Sequence, residues 1–292
     1  MTRGNWERWG AADERGALNW IGPEHVVSAA RLVRTGRIYP LAVRLGRDTP
    51  TPAERAHPLH FMVRDGGDYA AGGRRPGGFQ FSDDAIVLAT HTGTHMDALA
   101  HCWTDDRLYN GFPGNSIRST TGAAHCGVDK VGAVVGRGVL LDVAGHLGKP
   151  HLETGFEITP DTLAACAEAA GVRVGRGDVV LIRTGWQSAS GENGPDAFRG
   201  EPGPGLSAAR WLTGLEVAAV GADNYAFEVL PPPAGTVFPA HLHLLRDFGT
   251  LIFEGLMLED LACDRIAQFL FVATPLPITG GVGSPVAPVA IV

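Results

Sequence analysis

The sequence predicts a single compact α/β domain, with a partly mixed β-sheet flanked by helices, on three observations. Short runs rich in Val, Ile, Leu and Ala are bounded by Gly or Asp, as strands buried in a sheet are. Helical segments with clear start and stop signals lie between several of these runs. No segment recurs at a fixed period, which sets aside solenoids and propellers. At 292 residues the chain can bury a core of its own.

In chain order, residues 1–40 read as an N-terminal extension packing on a core domain that spans 41–292. The extension contains a helix over 23–35, with Pro23 suited to its first turn. Residues 47–78 are dense in Pro, Gly and charge, including AAGGRRPGG, and read as a long mobile loop placed to lie over a pocket. Strands are expected at AIVLAT (85–90), GVLLDVA (138–144), GDVVLIRT (177–184) and VAAVGAD (217–223). A helix over 159–171 has Thr159 as N-cap, Pro160 at its first position and Gly171 as its stop. Shorter helices are expected over 207–213 and 241–248.

Composition narrows the function. Forty Gly and twenty Pro predict many turns, while 45% hydrophobic and 19% charged residues are ordinary globular usage. A net charge of -7 without basic runs argues against nucleic acid and anionic membranes and leaves a small molecule as the expected partner. MTRGNWERWG lacks the apolar stretch of a secretory leader, and no run of about eighteen apolar residues follows, so a cytoplasmic protein is expected. Cys102, Cys126, Cys166 and Cys263 are far apart with no CxxC pair, which indicates reduced, mostly structural thiols. Neither GxSxG nor a nucleotide-binding glycine pattern is present, leaving a metal as the only cofactor implied.

The chemistry concentrates in HTGTHMDALAH, residues 91–101. His91, His95 and Asp97 offer two imidazoles and a carboxylate within seven residues, a donor set that suits Zn²⁺, Mn²⁺ or Fe²⁺ and leaves coordination positions open for water. His101, four residues after Asp97 on an expected helical stretch DALAHCW, would face the same side and act as a general base. Further along, Glu254 lies in the apolar run LIFEGLML, where an ionised carboxylate is costly to bury without a metal or a charged partner.

The segment resembles the HxGTHxDxxxH signature of the cyclase family of metal-dependent hydrolases, which includes kynurenine formamidases and isatin hydrolases. GRI followed by PL (36–41), RGVLLDVA (137–144), GDVVLIRTGW (177–186), GADN (221–224) and HLHLLRDFGTLIFEGLMLEDLA (241–262) are similar to family blocks. The opening RWGAADERGALNW (8–20) is similar to the longer members. The resemblance implies the swivelling β/β/α fold, with His91, His95 and Asp97 as ligands of a first metal and His101 as the catalytic acid/base. It implies a second position completed by His241 and Glu254, with His243 competing for the histidine's place, so one or two Zn or Mn ions per chain. A homodimer or homotetramer is implied as well.

For the pocket, Trp6, Trp9, Phe61, Trp103, Trp186 and Phe227 are candidates to stack a flat ring. Asp223, Asn224, Arg183 and Thr184 sit at strand ends, where α/β sites usually form. The expected reaction is hydrolysis of an amide, formamide, imide or lactone bond of a small cyclic or aromatic substrate by metal-activated water. The alternatives are a metal-dependent cyclisation or dehydration of a carbonyl compound and a metal- or ligand-binding protein without turnover.

Overall fold

The computed structural model describes residues 4–193, 198 and 200–292. In chain order its main strands are β1 (Ile38–Pro40), β2 (Leu59–Arg64), β3 (Asp83–Val87), β4 (His95–Asp97), β5 (Val134–Asp142), β6 (Val179–Arg183), β7 (Ala219–Ala222), β8 (Leu251–Glu254), β9 (Gln268–Ala273), β10 (Gly283–Pro285) and β11 (Val289–Ile291). All but β2 and β3 join one mixed sheet in the order β1-β11-β9-β5-β6-β7-β8-β4-β10.

Strands β5 to β8 are parallel, and every other pairing in this sheet is antiparallel. Parallel neighbours need long crossovers, and helices supply them. The links from β5 to β6, β6 to β7 and β7 to β8 carry α2 (Pro160–Ala169), α3 (Leu206–Gly214) and α4 (Pro239–His241), which runs on as a π-helix over Leu242–Phe248. Helices cover these strands, so their sequences are apolar without alternation: Val179, Val180, Leu181 and Ile182 are all completely buried.

The helix over 159–171 forms as expected. Thr159 accepts a bond from the Thr162 N–H, and Gly171 ends the run with φ +66°. The expected helix over 23–35 is shorter: α1 (Pro23–Ala30) is capped at Arg31, and Thr35 and Gly36 beyond it donate their N–H groups to the Val292 carbonyl. Residues 4–40 are bonded to the rest of the chain, as by Asn5 N–H to Asp247 O and Ala17 N–H to Gly249 O, and they end as β1 at the edge of the sheet.

Two readings are corrected. Residues 47–78 are not a structureless loop, because they hold β2 and a helical turn, Gly66–Ala70, capped by Asp65. The run 85–90 is strand only as far as Val87, and β3 pairs with β2 outside the main sheet. The Pro and Gly around LHFMVR obscured a β-competent segment, and pairing decided it. Among the described residues no helix is long and apolar enough to cross a membrane.

Candidate metal centre

The centre is assembled by strand arithmetic. His95 and Asp97 lie two residues apart on β4 and so share a face. Glu254, the last residue of β8, is directly opposite His95 in the antiparallel register and shares that face too. Three polar side chains therefore meet inside a largely apolar sheet, none more than 4% exposed.

The flanks of β4 add two histidines. His91 begins a turn that passes through Gly93 at φ +62°. On β10 a Cβ at Gly283 would stand 2.4 Å from His91 Nε2, so the bare glycine makes room for that ring. After β4 the expected helix DALAHCW does not form. The Ala98 and Ala100 N–H groups bond outward to Val282 O and Cys126 O, and His101 closes a tight turn onto Ala98 O. His101 Nε2 still reaches 3.9 Å from Asp97 Oδ2. His241, from the end of α4, supplies a fourth imidazole 3.6 Å from Asp97 Oδ2 and 3.2 Å from Glu254 Oε1.

Second partners orient the rings. His95 Nδ1 meets the Gly93 carbonyl at 2.9 Å and His241 Nδ1 meets Glu228 Oε1 at 2.7 Å, so each Nδ1 carries the proton and each Nε2 turns a lone pair inward. Glu228 also accepts the His241 and Ala240 N–H groups. The inward atoms make no well-directed hydrogen bonds: His91 Nε2, His95 Nε2 and both Asp97 oxygens are buried and meet only other members of the cluster, His95 Nε2 lying 2.9 Å from Glu254 Oε2 and His91 Nε2 3.2 Å from Asp97 Oδ1. Ligand atoms of His91, Asp97 and His101, and of His95, Asp97 and Glu254, lie within 4.8 Å of one another. The residues present fit a cation: nitrogen and oxygen donors, fixed tautomers and inward lone pairs.

The local field agrees. Burial opposes the charged imidazole of His95, yet Glu254 and Asp97 hold its pKa above the ordinary range, and Glu228 and Glu254 do the same for His241 against the same burial. Burial disfavours the Asp97 carboxylate as well, but His101, His91 and His95 together hold it well below the usual range. The pocket thus attracts positive charge, a demand that a divalent cation meets while the imidazoles stay neutral. His101 is pushed down to about 4, by burial first, so it stands as a free base at neutral pH.

The sequence profile of the cyclase family matches residues 39–229. The chain belongs to the cyclase family. Within that family, a solved structure described as a novel cyclase superposes with a TM-score of 0.92 at 36% identity, over 99% of this chain and 97% of its own. Isatin hydrolase from Roseibium aggregatum is 27% identical over 226 residues, 73% of this chain and 75% of that protein. Isatin hydrolase A from Ralstonia solanacearum, at 24% identity, shares the fold with a TM-score of 0.66 over 92% of this chain and 95% of its own.

In this cyclase-family chain the structure brings together His91, His95, Asp97, His101, His241 and Glu254, with Asp97 facing all four imidazoles. His243 is turned away: its Nε2 meets Thr213 Oγ1 at 2.9 Å and its ring lies against Phe248. A cleft of about 210 Å³ opens over the cluster, lined in part by Arg55, His101, Phe198, Glu201, Tyr225 and Phe238.

The expected pocket residues are mostly elsewhere. Phe61 stands half exposed on β2, and Trp103 lies on the surface against Gly114. Trp186 is buried beside a smaller pocket it shares with Phe198 and Tyr225. Asp223 is engaged by the Thr184 N–H and hydroxyl and the Gly185 N–H, each at 2.7 Å, and Asn224 donates to Pro202 O and Phe227 O. These two residues hold loops together. Arg183 is paired with Asp142 and Glu259, Trp6 donates to Arg246 O, Trp9 packs edge-on against Trp20, and Phe227 is core.

Sequence reasoning missed Glu228, Arg55, Tyr225 and Glu201. Glu228 was findable, since it sits in the apolar stretch AFEVL much as Glu254 sits in its own. Arg55 Nη1 reaches the His91 carbonyl at 2.6 Å and the Tyr225 hydroxyl, and nothing in its Pro-rich surroundings signals this.

Proposed function

We propose that this cyclase-family chain is a metal-dependent hydrolase of a small cyclic or aromatic amide, formamide, imide or lactone. One observation carries the reading: the inward lone pairs of His91, His95 and Asp97 converge beneath a cleft whose rim holds His101, a neutral imidazole. The similarity to isatin hydrolase supports the same class of reaction.

When bound, a divalent cation polarises a carbonyl and makes water acidic enough to attack it near neutral pH. Zn²⁺ or Mn²⁺ suits the imidazole and carboxylate donors, and His91, His95, Asp97, His241 and Glu254 would hold one ion or two, leaving His101 free as the base. His101 takes the proton of the attacking water and returns it to the leaving nitrogen or oxygen. Glu228 keeps His241 in the tautomer that faces the cluster. Arg55 and Tyr225 both bond the His91 carbonyl and hold that turn in place.

The assembly belongs to the same reading. The β2–β3 hairpin exposes Leu59, Phe61 and Val87 on one face, each at least half accessible. We infer that a second copy of the chain covers it, giving a homodimer or a larger homo-oligomer.

The test is His101→Ala, assayed with isatin and a panel of aryl lactams, formanilides and lactones, together with elemental analysis. The expected result is metal content as in the wild type and turnover lowered by about 10²- to 10⁴-fold. Loss of the metal with His101 would make that residue a ligand and not the base. Activity that persists would sink the mechanism.

A further inference from the structure

Glu201 is wholly buried, lines the cleft and takes no part in the cluster. Its Oε2 accepts two backbone bonds, from the Tyr225 N–H at 2.8 Å and the Ala226 N–H at 3.0 Å. Its Oε1 is buried with no partner at all. A carboxylate with one oxygen saturated and the other bare is expensive to keep in a protein interior, and the cost falls if an occupant of the cleft supplies a donor. The backbone of Glu201 is held on both sides, since its N–H and C=O pair with Leu230 across a β-bridge, so the side chain has little freedom to seek another partner.

We propose that Glu201 Oε1 is a specificity-determining acceptor that receives a hydrogen bond from an N–H of the substrate. The proposal rests on the hydrolase reading and narrows it: among the bonds considered, lactams, imides and formanilides carry such an N–H, and lactones and N-alkylated amides do not. A site with a buried acceptor discriminates strongly against an analogue that leaves the acceptor unpaired.

The two backbone donors make a clean test possible. In Glu201→Gln only the amide oxygen can accept from Tyr225 and Ala226, so the NH₂ group is forced to the place of the bare oxygen. The substitution keeps shape and backbone bonds while turning an acceptor into a donor.

Burial pushes the Glu201 carboxyl up to about 8, so the experiment is run above that pH, where Oε1 is an acceptor. It uses the metal-loaded protein with isatin and N-methylisatin, reading kcat/KM and, by calorimetry, the affinity for 2-oxindole and N-methyl-2-oxindole. The wild type is expected to favour each N–H compound by roughly 10- to 100-fold, and Glu201→Gln to abolish or reverse that ratio without a matching loss on the N-methyl compounds. Equal losses on both members of a pair would make Glu201 merely structural. An unchanged ratio would mean that the carboxyl already acts as a donor, and either result overturns the proposal. Binding preference without turnover in the wild type would overturn the hydrolase reading and leave Glu201 standing, whereas neither binding nor turnover would overturn both.

Discussion

Two regions of this molecule break the ordinary rule of burial in opposite directions. On β4 and β8 the chain buries Asp97, His95 and Glu254 in the middle of a sheet, where apolar side chains are the norm. On β2 and β3, upstream of His91, it exposes Leu59, Phe61, Ile86 and Val87 to water. The first region holds polar atoms short of partners, and the second holds apolar atoms short of cover. Under the proposed function each surface would be completed by something outside the single chain: a cation and substrate in one case, a second copy in the other.

The largest effect is expected at the carboxylate common to both ligand groups. Asp97→Asn removes a charge that His91, His95, His101 and His241 all face. Bound metal should fall to background by elemental mass spectrometry, and hydrolysis should drop by more than about a thousandfold. Retention of the full metal content would show that the buried polar atoms are not a metal site. Next comes the partner behind a ligand. Glu228→Gln keeps the shape but weakens the acceptor of the His241 Nδ1–H, and competitive titration with a chelating dye should show metal affinity lower by about 10- to 100-fold. No change would place His241 outside the coordination.

The same contrast sets what was legible in the sequence. His91, His95, Asp97 and His101 are close in the chain, so a local pattern of donor types revealed them although the stretch after Asp97 is a turn and not the expected helix. The spacing from Asp97 to His101 pointed to a helix, and the structure reaches the same juxtaposition through a turn held by β-neighbours. His241 and Glu254 came from the resemblance and from the cost of a carboxylate in LIFEGLML. Choosing His241 over His243 required the α4 end and Glu228, which are tertiary facts. Parallel strands β5 to β7 were visible because full burial leaves an unbroken apolar run. The hairpin was not, because its exposed apolar face carries no burial pattern and Pro and Gly surround it. Phe61 and Trp103 were assigned to the pocket on residue type alone, and type says nothing about direction.

The hairpin gives the next prediction. Phe61→Asp with Val87→Lys places charges on one face of the pair, since Phe61 lies opposite Ala85 and Val87 opposite Leu59. By multi-angle light scattering the wild type should be a homo-oligomer and the variant a monomer or a more readily dissociating species, with the metal content unaltered. A monomeric wild type would remove the second copy as the cover of this face, and the contrast between the two regions would then rest on the metal centre alone.

The smallest effect belongs to Glu201, and it tests whether the buried region carries a cost that the exposed one does not. Burial pushes its carboxyl up to about 8, from an ordinary 4.5, against the pull of the Ala226 and Tyr225 N–H groups. Between these values the folded chain holds a proton that the unfolded chain has released, so stability is fully present below about 4.5 and is lost as the pH rises towards about 8. Glu201→Gln has no such proton. In metal-free protein the melting temperature of the wild type should therefore fall behind that of the variant across this window by several degrees, with little further separation above it. Parallel melting curves at every pH would mean that Glu201 Oε1 already has a partner, and the cost assigned to it would disappear along with the reason for expecting an N–H on the substrate.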